Sequence, residues 1–287
     1  MSNRWFLRIA LLATLLGAGV VVLGAYVRLN DAGLGCPDWP VCYGRLTWPS
    51  DEAAIAAANE AFPQRPVETD KAWKEQVHRF FAASLGVLVL TLALAASWRW
   101  PARRNLLIGA SLAAAAGIFA YVGGLIPLAA ILSLAAIGLP LLGAAFWQDS
   151  WRARATAGLL GLVIFQALLG KWTVTLLVKP IIVTGHRLGG LATVALLWWL
   201  TLRQGRWLEH PSAPGTRPER LLTVLVLAVV IGQIALGGCT STNYAALACT
   251  DFPTCHGAWW PDADLGEAFV LWRGVGIDYE LGGRGNH

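Results

Sequence analysis

Of the five histidines, two occur in settings that could do chemistry. "EQVHRFFAASLG" carries His78 and "VTGHRLGGLATV" carries His186. Each opens a long apolar run, each is followed by an arginine (Arg79 and Arg187), and each has a small residue four positions on, Ala82 and Gly190. Positions i and i+4 share a helix face, so each imidazole stands over a bare patch. Ionisable groups at membrane depth are costly and usually functional. Two imidazoles at one depth suit the axial ligands of a haem-like macrocycle held edge-up between helices. The alternative is that each histidine hydrogen-bonds a neighbouring helix. Arg79 and Arg187 either snorkel to the interface or pair with propionates. Glu75 lies three residues before His78, on the same helix face and one turn nearer the surface. A carboxylate there either accepts a proton or stabilises a cationic intermediate, or is an interfacial charge facing water. His210, His256 and His287 lie in polar stretches and read as solvated.

Four of the five cysteines form a second constellation. "GCPDWPVCYG" at 35–44 and "ACTDFPTCHG" at 248–257 share the order C-x-D-aromatic-P-x-C-x-G, with Cys36 and Cys249 separated by 213 positions. At the same offset Asn30 meets Asn243, Asp38 meets Asp251, Pro40 meets Pro253 and Gly44 meets Gly257. The helices feeding the loops align around Gly24 and Gly237, and "FQALLGKWTVT" at 165–175 is a partial third echo, with Trp172 facing Cys239. The repeated unit is therefore an outward-going helix followed by a small closed loop, as in membrane proteins that place a site between related halves. Matched close pairs on an oxidising face read as disulfides, Cys36–Cys42 and Cys249–Cys255. A copper or zinc site using His256 is the rival. Either way each loop forms a lid over the mouth of a bundle. Continued in register, the second unit has its histidine near position 291, so the chain reads as a repeat cut short at His287.

These residues must be positioned by helices in a bilayer. Hydrophobic residues make up 56% of the 287, charged residues 14%, and the mean hydropathy is +0.55; soluble domains run at about a quarter charged. A spanning helix needs about 20 apolar residues, and seven candidates occur, near 6–27, 77–97, 105–125, 127–147, 157–177, 181–202 and 221–238. The third and fourth, separated by "GGLIP", form either two spans or one re-entrant hairpin. The net charge of +5 reflects topology and not nucleic acid. Arg4, Arg8, Arg99, Arg103, Arg104, Arg152, Arg154, Arg203, Arg206, Arg217 and Arg220 gather on one side, whereas Asp31, Asp38, Asp51, Glu52, Glu60, Glu68 and Asp70 lie on the other. That asymmetry places the N-terminus in the cytoplasm and the cysteine loops outside. The expected fold is an all-α polytopic membrane protein: a four-helix haem-binding bundle, an extra hairpin, and the start of a second, related bundle. By segment, 1–104 holds the first two helices and outer loop, 105–147 the hairpin, 148–205 the rest of the bundle, and 206–287 the incomplete second repeat.

"GAYVRLNDAGLGCPDWPVCYG", "EQVHR", "FQALLGKWTVTLLVKP", "VTGHRLGGLATVALLWWL" and "TSTNYAALACTDFPTCHG" together closely resemble the haem A synthase family of bacteria and mitochondria. The resemblance covers most of residues 5–98 and 157–280. It implies eight helices in two related four-helix bundles, one receiving haem O as substrate and the other holding a haem b cofactor. The implied reaction oxidises the C8 methyl of haem O to a formyl group by successive hydroxylations, giving haem A for terminal cytochrome oxidases. Carried over by position, His78 and His186 are the substrate-side iron ligands and Glu75 is the catalytic glutamate of the E-x-x-H-R motif. Cys36 and Cys42 are the loop cysteine pair, either redox-active or bracing, and Cys249 and Cys255 match a second-half pair found in part of the family. Implied partners are an upstream enzyme supplying haem O, an electron acceptor and membrane lipid, and homo-oligomerisation is compatible; the implied location is the bacterial inner membrane. Three departures stand out: the hairpin at 105–147, Lys171 and Cys239 at positions where the family has an apolar residue and Trp, and the lack of haem b histidines. That last departure keeps a second reading open, a haem-binding membrane cytochrome b or assembly factor without catalysis.

Overall fold

The computed structural model describes residues 3–205, 217–243, 245, 248–262, 266 and 272. Long apolar runs fold as helices because, in hydrocarbon, each backbone N–H and C=O must find its partner within the segment. In chain order the helices are α1 (Asn3–Leu29), α2 (Glu52–Ala61), α3 (Thr69–Ser97), α4 (Pro101–Val122), α5 (Ile126–Phe146), α6 (Trp151–Thr175), α7 (Pro180–Gln204) and α8 (Arg217–Thr242). All but α2 are long and apolar enough to cross a membrane. At 22 and 21 residues, α4 and α5 each rise about 30 Å, so each helix of the hairpin is long enough to cross a membrane on its own.

The helices run further than hydropathy alone marks, since a polar turn can continue a helix wherever it has something to pack on. The largest such difference is α3, which starts at Thr69 and not near 77. Its first turns are polar but bury Ala72, Lys74, Glu75 and Gln76. His78 accordingly sits about two and a half turns inside its helix. Local signals account for other ends: Ser150 caps α6 by accepting from the Ala153 N–H at 3.3 Å, and proline occupies the first turn of α4, α5 and α7, where a missing N–H costs nothing.

Helices α1, α3, α6 and α7 close into a ring in which each packs on two neighbours, so α3 lies diagonally opposite α7 and α1 opposite α6. The end of the ring away from the cysteine loops is filled by Ala10, Ala13, Val89, Leu92, Leu159, Leu197 and Leu200. Small residues there let helices approach, and a hydroxyl pair, Thr14 with Thr201 at 3.0 Å, joins α1 to α7. The α4–α5 hairpin packs outside the ring, chiefly on α6, and α8 packs on α7. Side chains such as Leu15, Val22, Leu112, Leu134 and Val229 face outward, as a lipid environment requires.

The segment between α1 and α3 is a folded cap. Asp51 caps α2 by accepting from the Ala54 N–H, a helix absent from the sequence-based expectation because its alanine-rich face is too short to register as a span. Cys36, Cys42, Tyr43, Ala58 and Ala72 form the cap's own core with Trp48, Phe62 and Val67. Gly35 is the contact point: a Cβ there would lie 2.7 Å from the Lys71 backbone, so only glycine lets the loop rest against α3.

Candidate functional site

The two imidazoles come from diagonally opposed helices, and each rests on a glycine of a neighbouring one. A Cβ built on Gly24 of α1 would lie 3.1 Å from Cε1 of His78. A Cβ on Gly170 of α6 would lie 3.5 Å from Cε1 of His186. Gly24 and Gly170 stand at the same distance from the ends of their helices, Leu29 and Thr175, so each imidazole leans on its neighbouring helix about 7–8 Å of rise inside that helix's end. The Nδ1 atoms of both rings are buried and have no hydrogen-bond partner. At Nδ1, therefore, neither histidine bonds a neighbouring helix. The glycine seats were legible in the sequence only as alignment points, since Gly24, Gly170 and Gly237 occupy the same place in the repeated helix. Gly237 has nothing within 4 Å of its Cβ position.

One turn deeper on α6, Gln166 is packed so closely on Gly189 of α7 that a Cβ there would collide with its amide. Both amide atoms are buried without a partner. Its amide lacked any signal in the sequence, because Gln in an apolar helix is ordinary and its orphaning depends on which face meets α7.

Above the histidines the cap and α3 are stitched together by charge. Glu75 is only 5% exposed, so it is not a water-facing interfacial charge. One carboxylate oxygen accepts from the Cys36 backbone N–H at 2.8 Å and the other pairs with Arg79 at 2.5 Å. Arg79 also donates to the carbonyls of Asp38 (3.0 Å) and Val41 (2.7 Å) and to Gln76. Gln76 in turn donates to the Leu46 carbonyl at 2.6 Å, and Lys74 pairs with Asp70 at 2.6 Å and donates to Asn30. Arg187 instead donates to the Ser241 hydroxyl at 3.3 Å, while Arg28 donates to the Ser241 carbonyl at 2.8 Å. Arg28 and Ser241 are counterparts in the repeat, 213 positions apart.

The cysteine pairs are both bonded, Cys36 to Cys42 and Cys249 to Cys255, which takes their thiols out of contention for the copper or zinc alternative. The two loops share an internal scaffold. Asp38 accepts from the N–H groups of Tyr43 (2.7 Å) and Gly44 (2.6 Å); Asp251 accepts from those of His256 (2.6 Å) and Gly257 (2.9 Å) and from the Thr254 hydroxyl. The Thr254 hydroxyl, followed by the Gly257 N–H, holds the Asp251 carboxyl below its ordinary range. Both loops close with a Cys–x–x pairing, Cys42 to Arg45 and Cys255 to Ala258. Their surroundings differ. The first is packed into the cap core, and burial pushes the Tyr43 hydroxyl up to about 12. The second leaves Phe252, Trp259 and Trp260 almost fully exposed. His210 and His287, read as solvated, lie outside the described residues.

The family model for COX15-CtaA, cytochrome oxidase assembly protein, matches residues 7–126 and 120–277. A heme A synthase of Shewanella oneidensis is 35% identical over 294 aligned residues, covering 98% of this chain and 70% of that protein. Heme A synthases of Halalkalibacterium halodurans and Caulobacter vibrioides are 26% and 28% identical, covering 86% and 88% of this chain and 64% of each relative. The chain thus spans about two thirds of the length of the relatives it matches. No solved structure matches it.

Proposed function

The chain belongs to the COX15-CtaA family of cytochrome oxidase assembly proteins, and from that premise we propose that it is a haem A synthase. It is a multi-pass membrane enzyme whose substrate is haem O and whose product is haem A, the C8 methyl group being oxidised to a formyl group. The observation carrying this reading is the pair of imidazoles on diagonal helices, each over a bare glycine of a neighbouring helix and each with a buried Nδ1 that has no partner.

The residues fit a haem. A flat macrocycle needs ligands from two directions and no side chain in its plane. His78 and His186 supply the first condition, with bonding capacity unspent at Nδ1, and Gly24 and Gly170 keep their neighbourhood bare. Haem O bound there would be held through its iron by these two imidazoles; converting its methyl group to a formyl group would take one oxygen atom from water and release protons, with the electrons leaving to an acceptor. His78 and His186 hold and orient the iron. Glu75, at the mouth and anchored by the Cys36 N–H and Arg79, takes up or passes a proton as the methyl group is oxidised. Arg79 and Arg187 are the cations available to the propionates; Arg79 would exchange a cap carbonyl for one. The Cys36–Cys42 loop keeps this mouth closed to water, which strengthens each charge interaction beneath it. Among the described residues there is no second histidine pair on facing helices, so no step is assigned to a haem b.

Arg4, Arg8, Arg103, Arg104, Arg152, Arg154 and Arg203 crowd the ends of α1, α4, α6 and α7 away from the caps, which supports a bacterial inner membrane topology with the N-terminus cytoplasmic and both loops outside. An upstream enzyme would deliver haem O.

Mass analysis of the porphyrin extracted after co-expression with a haem O supply tests the reading. Haem A is expected from the unaltered chain, bound but unconverted haem O from Glu75→Gln, and loss of bound porphyrin from His78→Ala or His186→Ala. Haem O recovered unconverted from the unaltered chain would instead favour a haem-binding protein without catalysis.

A further inference from the structure

At the end of the ring opposite the caps, α5 and α7 both flank α6. The groove between them has a volume of about 390 Å³. Its walls change character along its length. At the rim are two guanidinium groups, Arg154 and Arg203, with Trp151 and Trp199 beside them; below are Ala144, Ala155, Gly158, Leu159 and Leu196. One helical turn further along α5 and α6 begins a wholly apolar recess of about 300 Å³.

The two arginines are held in place without being neutralised. Arg203 lies over the rings of Trp151 (4.4 Å) and Trp199 (5.3 Å), which themselves meet edge to face. A guanidinium stacked on a ring keeps its N–H donors pointing outward in its own plane. Arg154 donates through Nε to the Ala144 carbonyl at 3.1 Å and through Nη1 to Gln148 at 3.0 Å, both uncharged. Among the described residues neither arginine has a carboxylate within ion-pair distance, and Asp149, the nearby acid in sequence, is engaged by Arg103 at 2.6 Å. Positive charge at the rim, tryptophans at the level of the headgroups and an apolar trough below reproduce, in order, the chemistry of a phospholipid.

We propose that this groove is a binding site for an anionic glycerophospholipid, its phosphate on Arg154 and Arg203 and an acyl chain along Ala155, Gly158 and Leu196. The site is independent of the haem-binding reading, since it lies at the other end of the bundle from His78 and His186 and shares no residue with their seats.

The test is native mass spectrometry of the full chain released from nanodiscs containing equal phosphatidylglycerol and phosphatidylcholine, with and without millimolar inorganic phosphate. The expected result is preferential retention of phosphatidylglycerol, unaffected by phosphate, and falling about fivefold for each arginine removed in Arg203→Gln and Arg154→Gln. Arg104→Gln, at the same end but outside the groove, should leave retention unchanged. If Arg154→Gln loses its fold along with its bonds to Ala144 and Gln148, Trp199→Ala replaces it, with a loss expected because Arg203 is then no longer held. Equal retention of both lipids, displacement by inorganic phosphate, or the same loss in Arg104→Gln would each overturn the proposal.

Discussion

Gly24 and Gly170 show most directly how a single residue shapes the site. Each is a missing side chain over which an imidazole can lie. Filling the Gly24 seat should move the ring, because a Cβ there would already lie 3.1 Å from Cε1 of His78 and the three nearest atoms are all its imidazole's. Gly24→Val is expected to weaken haem retention by about tenfold or more, in line with the typical cost of overpacking. Gly19→Val, on the same helix with nothing within 4 Å of its Cβ position, should behave as the unaltered chain. The haem Soret spectrum of the purified proteins, at matched expression, reads the difference. Glu75 makes the complementary point. Its place three residues before His78 is plain from the sequence, but whether it meets water or the Cys36 N–H depends on the cap folding back over α3.

At the scale of elements, the two cysteine loops share one internal design and differ in what they touch. Asp38 and Asp251 do the same work, collecting the N–H groups at the far side of the loop. Asp251 is ionised when it accepts these bonds, and its pKa is lowered in the folded loop from an ordinary 3.8. A lowered carboxyl pKa favours the folded form above the unfolded value, and that contribution disappears as pH falls through the folded pKa. Protection of the backbone amides at 249–258, read as exchange relative to the intrinsic rate at each pH, should therefore hold above about pH 4 and fall below it, and Thr254→Val should move that fall to higher pH. The same amides staying protected at pH 2 would contradict this account. The α3 start belongs to this scale as well. Its polar first turns are helical because the cap covers them, and hydropathy, which scores only the chain itself, placed the start too late.

Across the whole molecule, one cap is buried and the other is not. Cys36 and Cys42 are fully buried within the cap core, whereas Cys249 is exposed beside the uncovered Phe252 and Trp260. Thiolate attack needs access to a sulfur. Under a mild reductant, labelling of new thiols should appear first at Cys249 and Cys255, and at Cys36 and Cys42 only once the cap opens. Simultaneous labelling of all four would mean the first cap is far looser than its packing implies. The ring of α1, α3, α6 and α7 is likewise a property of the whole: its four members are separated along the chain by the α4–α5 hairpin, which packs outside it.

What could be read from the sequence rested on signals carried within one segment. Seven apolar runs of spanning length, the matched cysteine loops 213 positions apart, the arginine-rich face and the two His-Arg pairs that open apolar runs are all local patterns. Tertiary structure alone decided that α3 and α7 stand diagonally, that each histidine lies on a glycine from another helix, that Glu75 is bonded to the cap, and that Gln166 has no partner. The physical reason is common to all four. Hydropathy and spacing say which residues leave water, but in a bilayer every helix is already out of water, so the choice of touching faces falls to close packing and hydrogen bonds between segments distant in the chain.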